Sequence, residues 1–513
     1  MSKDTILVLD FGGQYSHLIC RKFREAGVYS ELVPFDIKAS KIDKGYVKGL
    51  VLSGGPASVY QKNAPLCDKE IFKIGLPVLG ICYGLQLIAY MNGGVVTKGK
   101  EREYGKAILN IDDGSDLFFG LGKRIRCWMS HGDRVERLPK GYEVIAHTKN
   151  SPFAAIRDKE RRIFGVQFHP EVTHTPKGID VISNFVYKIC KAKRSWRMES
   201  FIEKVVKEIK NKVKKDERVL CALSGGVDST TTAVLVNKAI GDRLLCIFVD
   251  HGLLRKGEVE EVLKVAKDRL KLNVVFVNAS KRFLEKLKGV KDPELKRKII
   301  GEEFVKVFAE ESRKYGKFEW LAQGTLYPDV IESARSGSIA SRIKTHHNVA
   351  GLPEDMEFKL LEPLKDLYKD EVRKVAKILG IPDLIVKRHP FPGPGLAVRV
   401  VGEVTEEKLR ICREASAIIE EELKRAKLYD KVWQAFAFVG DDKAVGVLGD
   451  ERKYGYIVTV RIVESVDAMT ADWVKLPYSL LERISNRITN EVEGVTLVTY
   501  AISSKPPATI EPQ

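Results

Sequence analysis

Short, continuous apolar runs alternate with stretches of helical period over the first two thirds of the chain. Residues 6–9, 50–52 and 76–79 are apolar throughout and end in turn residues, as strands buried on both faces do. Between them, 16–26 and 69–74 read as helices. Strands alternating with helices predict a parallel, doubly wound sheet with its ligands at the carboxyl ends of the strands. Residues 162–168 add a further strand. The basic, polar stretch Cys190-Lys191-Ala192-Lys193-Arg194-Ser195-Trp196-Arg197 reads as a linker. Beyond it, Phe201, Ile202, Val205, Val206, Ile209 and Val213 recur at helical spacing.

The alternation then restarts. Strands are expected over 219–223, 244–249, 273–277 and 320–322, and helices over 230–240, 293–315 and 371–379. The last third breaks the pattern. A rigid, turn-rich segment from Arg388 to Leu396 leads to one long helix (406–427) and two β-rich runs (456–463 and 495–501). The expected class is α/β: two doubly wound parallel-sheet domains, 1–193 and 196–389, followed by a small α+β domain, 390–513.

Composition narrows this picture. With 513 residues, 44% hydrophobic and 30% charged, the chain can build several cores of its own. No apolar run is long enough to cross a bilayer, so no membrane partner is expected. The first ten residues lack the basic-then-apolar pattern of a secretory signal. Eight cysteines are scattered without a CxxC pair, which suits free thiols in a reducing cytoplasm. The net charge of +17 fits nucleic acid, phosphorylated small substrates or simply a highly charged surface. With no RNA-recognition motif present, nucleic acid ranks last.

The chemistry centres on Ser224-Gly225-Gly226-Val227-Asp228-Ser229, between an apolar strand and a helix. A glycine-rich strand–helix turn gathers backbone N–H groups on a phosphate, and the helix dipole favours negative charge there. Ser224 and Ser229 can donate hydroxyl hydrogen bonds, and Asp228 can hold Mg²⁺ against the phosphates. The lysine of a Walker loop is missing, and the nearest other match, 94–100, is followed by Glu101 where Ser or Thr is required.

A second centre follows the strand at 76–79. Gly80-Ile81-Cys82-Tyr83-Gly84 has the form of a nucleophile elbow with cysteine as the nucleophile. The helix expected over 85–92 would point its N-terminus at the sulfur, favouring thiolate and a nearby oxyanion. His169-Pro170-Glu171 closes the strand at 162–168. Two positions apart on extended chain, His169 and Glu171 share a face, so Glu171 can orient the base for Cys82.

Residues 80–84, 53–56 and 168–171 resemble class I glutamine amidotransferases, and the hexapeptide at 224–229 resembles the ATP pyrophosphatase (PP-loop) family. The first resemblance implies ammonia released from glutamine by Cys82, His169 and Glu171. It further implies oxyanion donors at Gly54, Gly55 and Tyr83, and glutamine held by Gln86, His131 and Asp133 in the Ser130-His131-Gly132-Asp133 stretch. The second implies ATP bound by Ser224, Gly225, Gly226, Val227, Asp228, Ser229, Thr230, Val249 and Gly324, with Mg²⁺ at Asp228. Lys365 and Lys369 are further phosphate candidates.

The domain order, together with GTLYPDVIES (324–333), KTHHNV (344–349), HPFPGPGLAVR (389–399) and KPPATIE (505–511), resembles the GMP synthetase family. That implies XMP, ATP and glutamine as substrates, an adenylyl-XMP intermediate, and XMP contacts at Arg399, Lys505, Thr509 and Glu511. It also implies a cytoplasmic homodimer joined through the C-terminal domain. That family ends in Ile-Glu-Trp-Glu, whereas Ile510-Glu511 is followed here by Pro512-Gln513. Two other readings stay open at this point: another glutamine-dependent adenylylating enzyme such as an NAD synthetase, and a tRNA-modifying PP-loop protein.

Overall fold

The computed structural model describes residues 4–335, 358–448, 451–465 and 470–513. The stretch 344–349 lies outside them. The chain divides into two compact units, Met1–Phe201 and Ile202–Gln513.

The first unit is built on one nine-stranded sheet. Its strands are β1 (Thr5–Asp10), β2 (Tyr29–Pro34), β3 (Val47–Leu52), β4 (Val78–Ile81), β5 (Val95–Ile111), β6 (Arg124–Arg137), β7 (Glu143–His147), β8 (Ala155–Asp158) and β9 (Ile163–Val166). They lie in the order β2-β1-β3-β4-β9-β8-β7-β5-β6. From β2 to β9 every pairing is parallel, as the apolar runs predict. Beyond β9 the sheet continues through antiparallel pairings that the sequence reading did not anticipate.

Two local expectations shift. β4 starts at Val78 rather than Leu76, because Pro77 has no N–H for the ladder, although its carbonyl still accepts from Leu50 (2.9 Å). The helix expected over 69–74 is a 3₁₀ turn, Lys69–Phe72, capped by the Asp68 carboxylate on the Glu70 N–H. The expected linker is packed rather than free. Cys190, Ala192 and Trp196 are buried, and the Trp196 ring lies 4.9 Å from that of Tyr29.

The second unit carries a five-stranded, wholly parallel sheet of β10 (Val219–Ala222), β11 (Leu244–Asp250), β12 (Val274–Asn278), β13 (Trp320–Ala322) and β14 (Lys359–Leu361), in the order β12-β11-β10-β13-β14. The turn after β10 leaves the central strand, where connections diverge to either side. A second sheet pairs β15 (Gln434–Leu448) with β16 (Glu451–Glu464), and β16 with β17 (Asp472–Trp473) and β18 (Val495–Tyr500). The helix Glu406–Arg425 packs on β15, and Tyr478–Glu491 packs beside it. One buried apolar cluster runs from Leu220 and Ile247 through Leu396 to Ile411, Val458 and Ile484.

Candidate active site

In the first unit, β4 runs into the helix Tyr83–Met91 through Cys82, whose backbone sits at φ +54°, ψ −105°. The flanking glycines are obligatory. A β-carbon on Gly80 would stand 2.4 Å from the Gly84 backbone, and one on Gly84 would stand 2.2 Å from the Leu52 carbonyl oxygen. The turn is tied down by the Cys82 N–H, which donates to Val166 O on β9 (2.8 Å).

His169 follows β9, three positions beyond its end. His169 Nδ1 lies 2.7 Å from Glu171 Oε1, and Glu171 is fully buried. Burial opposes charge on the His169 ring. The Glu171 carboxylate and the Cys82 sulfur outweigh it, and its pKa is held well above the ordinary 6.5. The Thr175 hydroxyl fixes the His169 carbonyl (2.7 Å), and Tyr15 meets the ring edge-on at 5.2 Å.

These groups open onto a cleft of about 620 Å³. Gly54, Gly55, Tyr83, Gln86, His131 and Asp133 all line it, so the expected glutamine-site residues are brought together. A β-carbon on Gly54 would stand 3.4 Å from His169 Cε1 and 3.9 Å from Cys82 Cβ, so this glycine faces both side chains. Gln86 Nε2 donates to Asp133 O (2.9 Å), and His131 Nδ1 donates to the same oxygen (2.9 Å). His131 Nε2 lies 3.3 Å from the carboxylate of buried Glu103. Burial works against that carboxylate, yet hydrogen bonds from His131, Ser151 and Thr148 keep its pKa below the usual range.

Sequence reading missed Gln14, Tyr15, Lys98 and Tyr104 in this cleft, and Glu103 and Gln167 behind it. Gln14 and Tyr15 follow β1 on the carboxyl side of the sheet, which is a usable signal. Gln167 stands two positions before His169 and shares its face, which is another.

In the second unit, the loop after β10 folds on itself. Ser224 Oγ and Ser229 Oγ are 2.8 Å apart, and the Ser224 N–H donates to Ser229 Oγ (3.2 Å). Gly225 has φ +76°, and a β-carbon there would strike Val262 at 2.4 Å. Gly226 caps the helix Val227–Ile240, which places Val227, Asp228, Ser229 and Thr230 in its first turn. Gly324, in the turn after β13, abuts Asp228, with its β-carbon position 3.2 Å from Asp228 Cβ. Val249 is buried near the end of β11. Asp228 Oδ2 pairs with Lys369, while Oδ1 is buried and has no hydrogen-bond partner among the described residues.

The tail is ordered. Arg399 is 2% exposed, stacks over Phe436 at 4.1 Å, and grips Glu511 with Nε and Nη2, each at 3.0 Å. Thr509 Oγ1 donates to Glu511 O, and Arg461 Nη2 donates to Thr509 O (3.0 Å). Lys505 exchanges backbone hydrogen bonds with Ala471. Gln513 accepts from Lys296 Nζ through Oε1 and from Arg297 Nη2 through its main-chain oxygen.

A cysteine elbow facing a His–Glu pair on a mixed α/β sheet, with a phosphate loop on a separate parallel sheet, defines a class of glutamine-using ligase. Family models agree with this partition. Residues 7–189 match glutamine amidotransferase class-I, 198–298 match NAD synthase, and 421–512 match the GMP synthase C-terminal domain. The chain is 57% identical over 506 residues to GMP synthase (glutamine-hydrolyzing) of Carboxydothermus hydrogenoformans, covering 99% of each. It is 57% identical over 511 residues to the protein of that name from Caldanaerobacter subterraneus, covering 100% of this chain and 99% of the relative. It is 54% identical over 518 residues to that of a Synechococcus strain, covering 100% and 97%. The chain belongs to the glutamine-hydrolysing GMP synthase family.

Proposed function

We propose that the chain converts XMP, ATP, glutamine and water into GMP, AMP, pyrophosphate and glutamate. One observation carries the reading: a cysteine elbow and a phosphate loop each sit at the carboxyl edge of their own sheet on a single chain. Cys82 Sγ attacks the glutamine amide carbon, and His169 takes the thiol proton while Glu171 orients it. The amide nitrogen leaves as ammonia with that proton, and water hydrolyses the thioester to glutamate. Backbone N–H groups of Gly54, Gly55 and Tyr83 stabilise the oxyanion. Gln86, His131 and Asp133 hold the glutamine.

In the second unit the XMP O2 attacks the α-phosphate of ATP, pyrophosphate leaves, and ammonia then displaces AMP from C2 of the purine. Residues 224–230, with Val249 and Gly324, cradle the nucleotide. Among the described residues no group of three or more His, Cys, Asp or Glu could hold a metal. Asp228 Oδ1, buried and without a hydrogen-bond partner among the described residues, fits an ion whose other ligands would be phosphate oxygens and water, as Mg²⁺ takes with nucleotides. Bound there, Mg²⁺ supplies charge neutralisation for the pyrophosphate.

Arg399, Lys505, Thr509 and Glu511 contact XMP, with Lys505 on its phosphate and Arg399 also gripping the Glu511 carboxylate. We extend the reading to domains 1–193, 196–389 and 390–513, the last joining a homodimer, in the cytoplasm, with no nucleic-acid or membrane partner. All eight cysteines are free thiols, and among the described residues no helix is long and apolar enough to cross a membrane.

The test offers XMP, ATP and glutamine and looks for GMP with AMP; ADP in place of AMP would overturn the adenylylation. Cys82→Ala should lose glutamine-dependent GMP formation by several orders of magnitude and regain GMP formation with ammonium at high pH.

A further inference from the structure

From the cleft wall inward, two buried glutamine side chains form a chain that ends on Cys82. Gln86 Nε2 donates to Asp133 O at 2.9 Å and reaches Gln167 Oε1 at 3.4 Å. Gln167 Nε2 in turn lies 3.7 Å from Cys82 Sγ. Gln86 and Gln167 are 3% and 1% exposed, so water does not compete for these bonds.

The direction of the chain is fixed from its far end. A primary amide can be turned end for end at little cost, but a backbone carbonyl accepts and never donates. Asp133 O therefore requires the NH₂ end of Gln86. That NH₂ requires the oxygen of Gln167, which leaves the Gln167 NH₂ pointing at the sulfur. The anchor is itself fixed, because His131 donates to the same carbonyl and is held from behind by Glu103.

We infer that Gln167 is a further catalytic residue, whose amide N–H donates to the Cys82 sulfur and favours the thiolate. This rests on Cys82 being the nucleophile of the proposed glutaminase. His169 accepts the thiol proton, and Gln167 stabilises the negative sulfur that remains. The thiol proton has an alternative acceptor in Ser130 O, 3.6 Å from Sγ, which favours the protonated form. Gln167 opposes it. Once the thioester forms, the sulfur carries no charge and the donor loses its hold on the intermediate.

The experiment uses the full-length protein and reads the pH dependence of Cys82 alkylation by iodoacetamide, next to glutamine hydrolysis. Cys82→Ala provides the blank. The other titratable groups facing the cleft stay unchanged: His169 and Glu171 after β9, His131 and Asp133 on β6, Lys98, Glu103 and Tyr104 on β5, Tyr15 after β1 and Tyr83 after Cys82.

Gln167→Glu keeps the size of the side chain and the acceptor for Gln86 but removes the donor. Its alkylation midpoint should move up by about one pH unit or more, and kcat for glutamine hydrolysis at neutral pH should fall about tenfold, with KM for glutamine within twofold. Gln167→Leu should move both in the same direction by less, since no carboxylate is introduced. The melting transition of the first unit should match the wild type in both, which shows that the variants fold. A wild-type midpoint and kcat in Gln167→Leu, which removes the donor without adding charge, would overturn the role of Gln167 and leave Cys82 in place. Normal glutamine hydrolysis by Cys82→Ala would instead overturn the glutaminase reading itself.

Discussion

Lys296 is fully buried, and its ammonium donates to Ala397 O, Val400 O and Gln513 Oε1. Burial, and then the neighbouring charge of Lys408, lower its pKa from 10.5 to about 8. Its folded value thus lies below its unfolded value. Between about pH 8 and 10.5 the unfolded chain binds more protons here, so this group adds stability as pH rises through that window. Denaturant midpoints of wild type and Lys296→Met, measured for the second unit at pH 7.5 and 9.5, should show it. The wild type should gain on the variant by on the order of 1 kcal/mol at the higher pH. A constant difference would place the lysine at its ordinary pKa.

At the same scale the sequence was unevenly legible. Cys82, His169 and Glu171 stand out because a glycine elbow around a cysteine has few other uses, and it gives meaning to a His-Pro-Glu turn that would be a weak signal alone. Gln167 and Glu103 look like ordinary polar positions on strands. Only the pairing of β5 with β6 brings Glu103 to His131, and only the exit of β9 brings Gln167 to the sulfur.

At the scale of elements, the tail shows what a segment can do without regular structure. Arg399 and Gln434 hold the Glu511 carboxylate, and Arg461 holds the chain just before it at Thr509. Glu511→Gln keeps the shape and removes the charge. KM for XMP should rise about tenfold, roughly the worth of one charged hydrogen bond. KM for ATP and the basal glutaminase rate should be unchanged; an unaltered KM for XMP would leave the carboxylate as an anchor for Arg399 alone. Deleting the whole tail is the poorer test, because it strips a buried guanidinium of its carboxylate.

The parallel strands were legible because burial on both faces makes them apolar throughout. The antiparallel extension was not, although its signal exists. Arg124-Ile125-Arg126-Cys127-Trp128-Met129 alternates exposed with buried positions, the mark of a strand with one wet face. A search for continuous apolar runs passes over that pattern. The order of the tail was equally hidden, since its partners Arg399, Gln434 and Arg461 lie 48 to 112 positions upstream and pairing at that distance leaves no local trace.

At the scale of the molecule, the two chemistries are segregated. Every residue lining the cysteine cleft belongs to the first unit, and the phosphate loop and the tail belong to the second. The order of the parts was readable because each carries its own short motif.

One feature of the first unit bears on its heat tolerance. At φ +54°, ψ −105°, Cys82 holds a backbone shape that side-chain-bearing residues resist, at a cost of about 1–3 kcal/mol. In most helices and strands an alanine is more stable than a glycine. Here the order should reverse. Cys82→Gly and Cys82→Ala both lack the sulfur, yet the glycine form should be the more stable by about 1 kcal/mol, after glycine's larger unfolded-state entropy is subtracted. In calorimetry the transition of the first unit should then lie about 2–4 °C higher in Cys82→Gly than in Cys82→Ala. The reverse order would mean the elbow is relaxed. The expected order means that position 82 is kept against the fold's own preference, so selection for stability alone would favour glycine there.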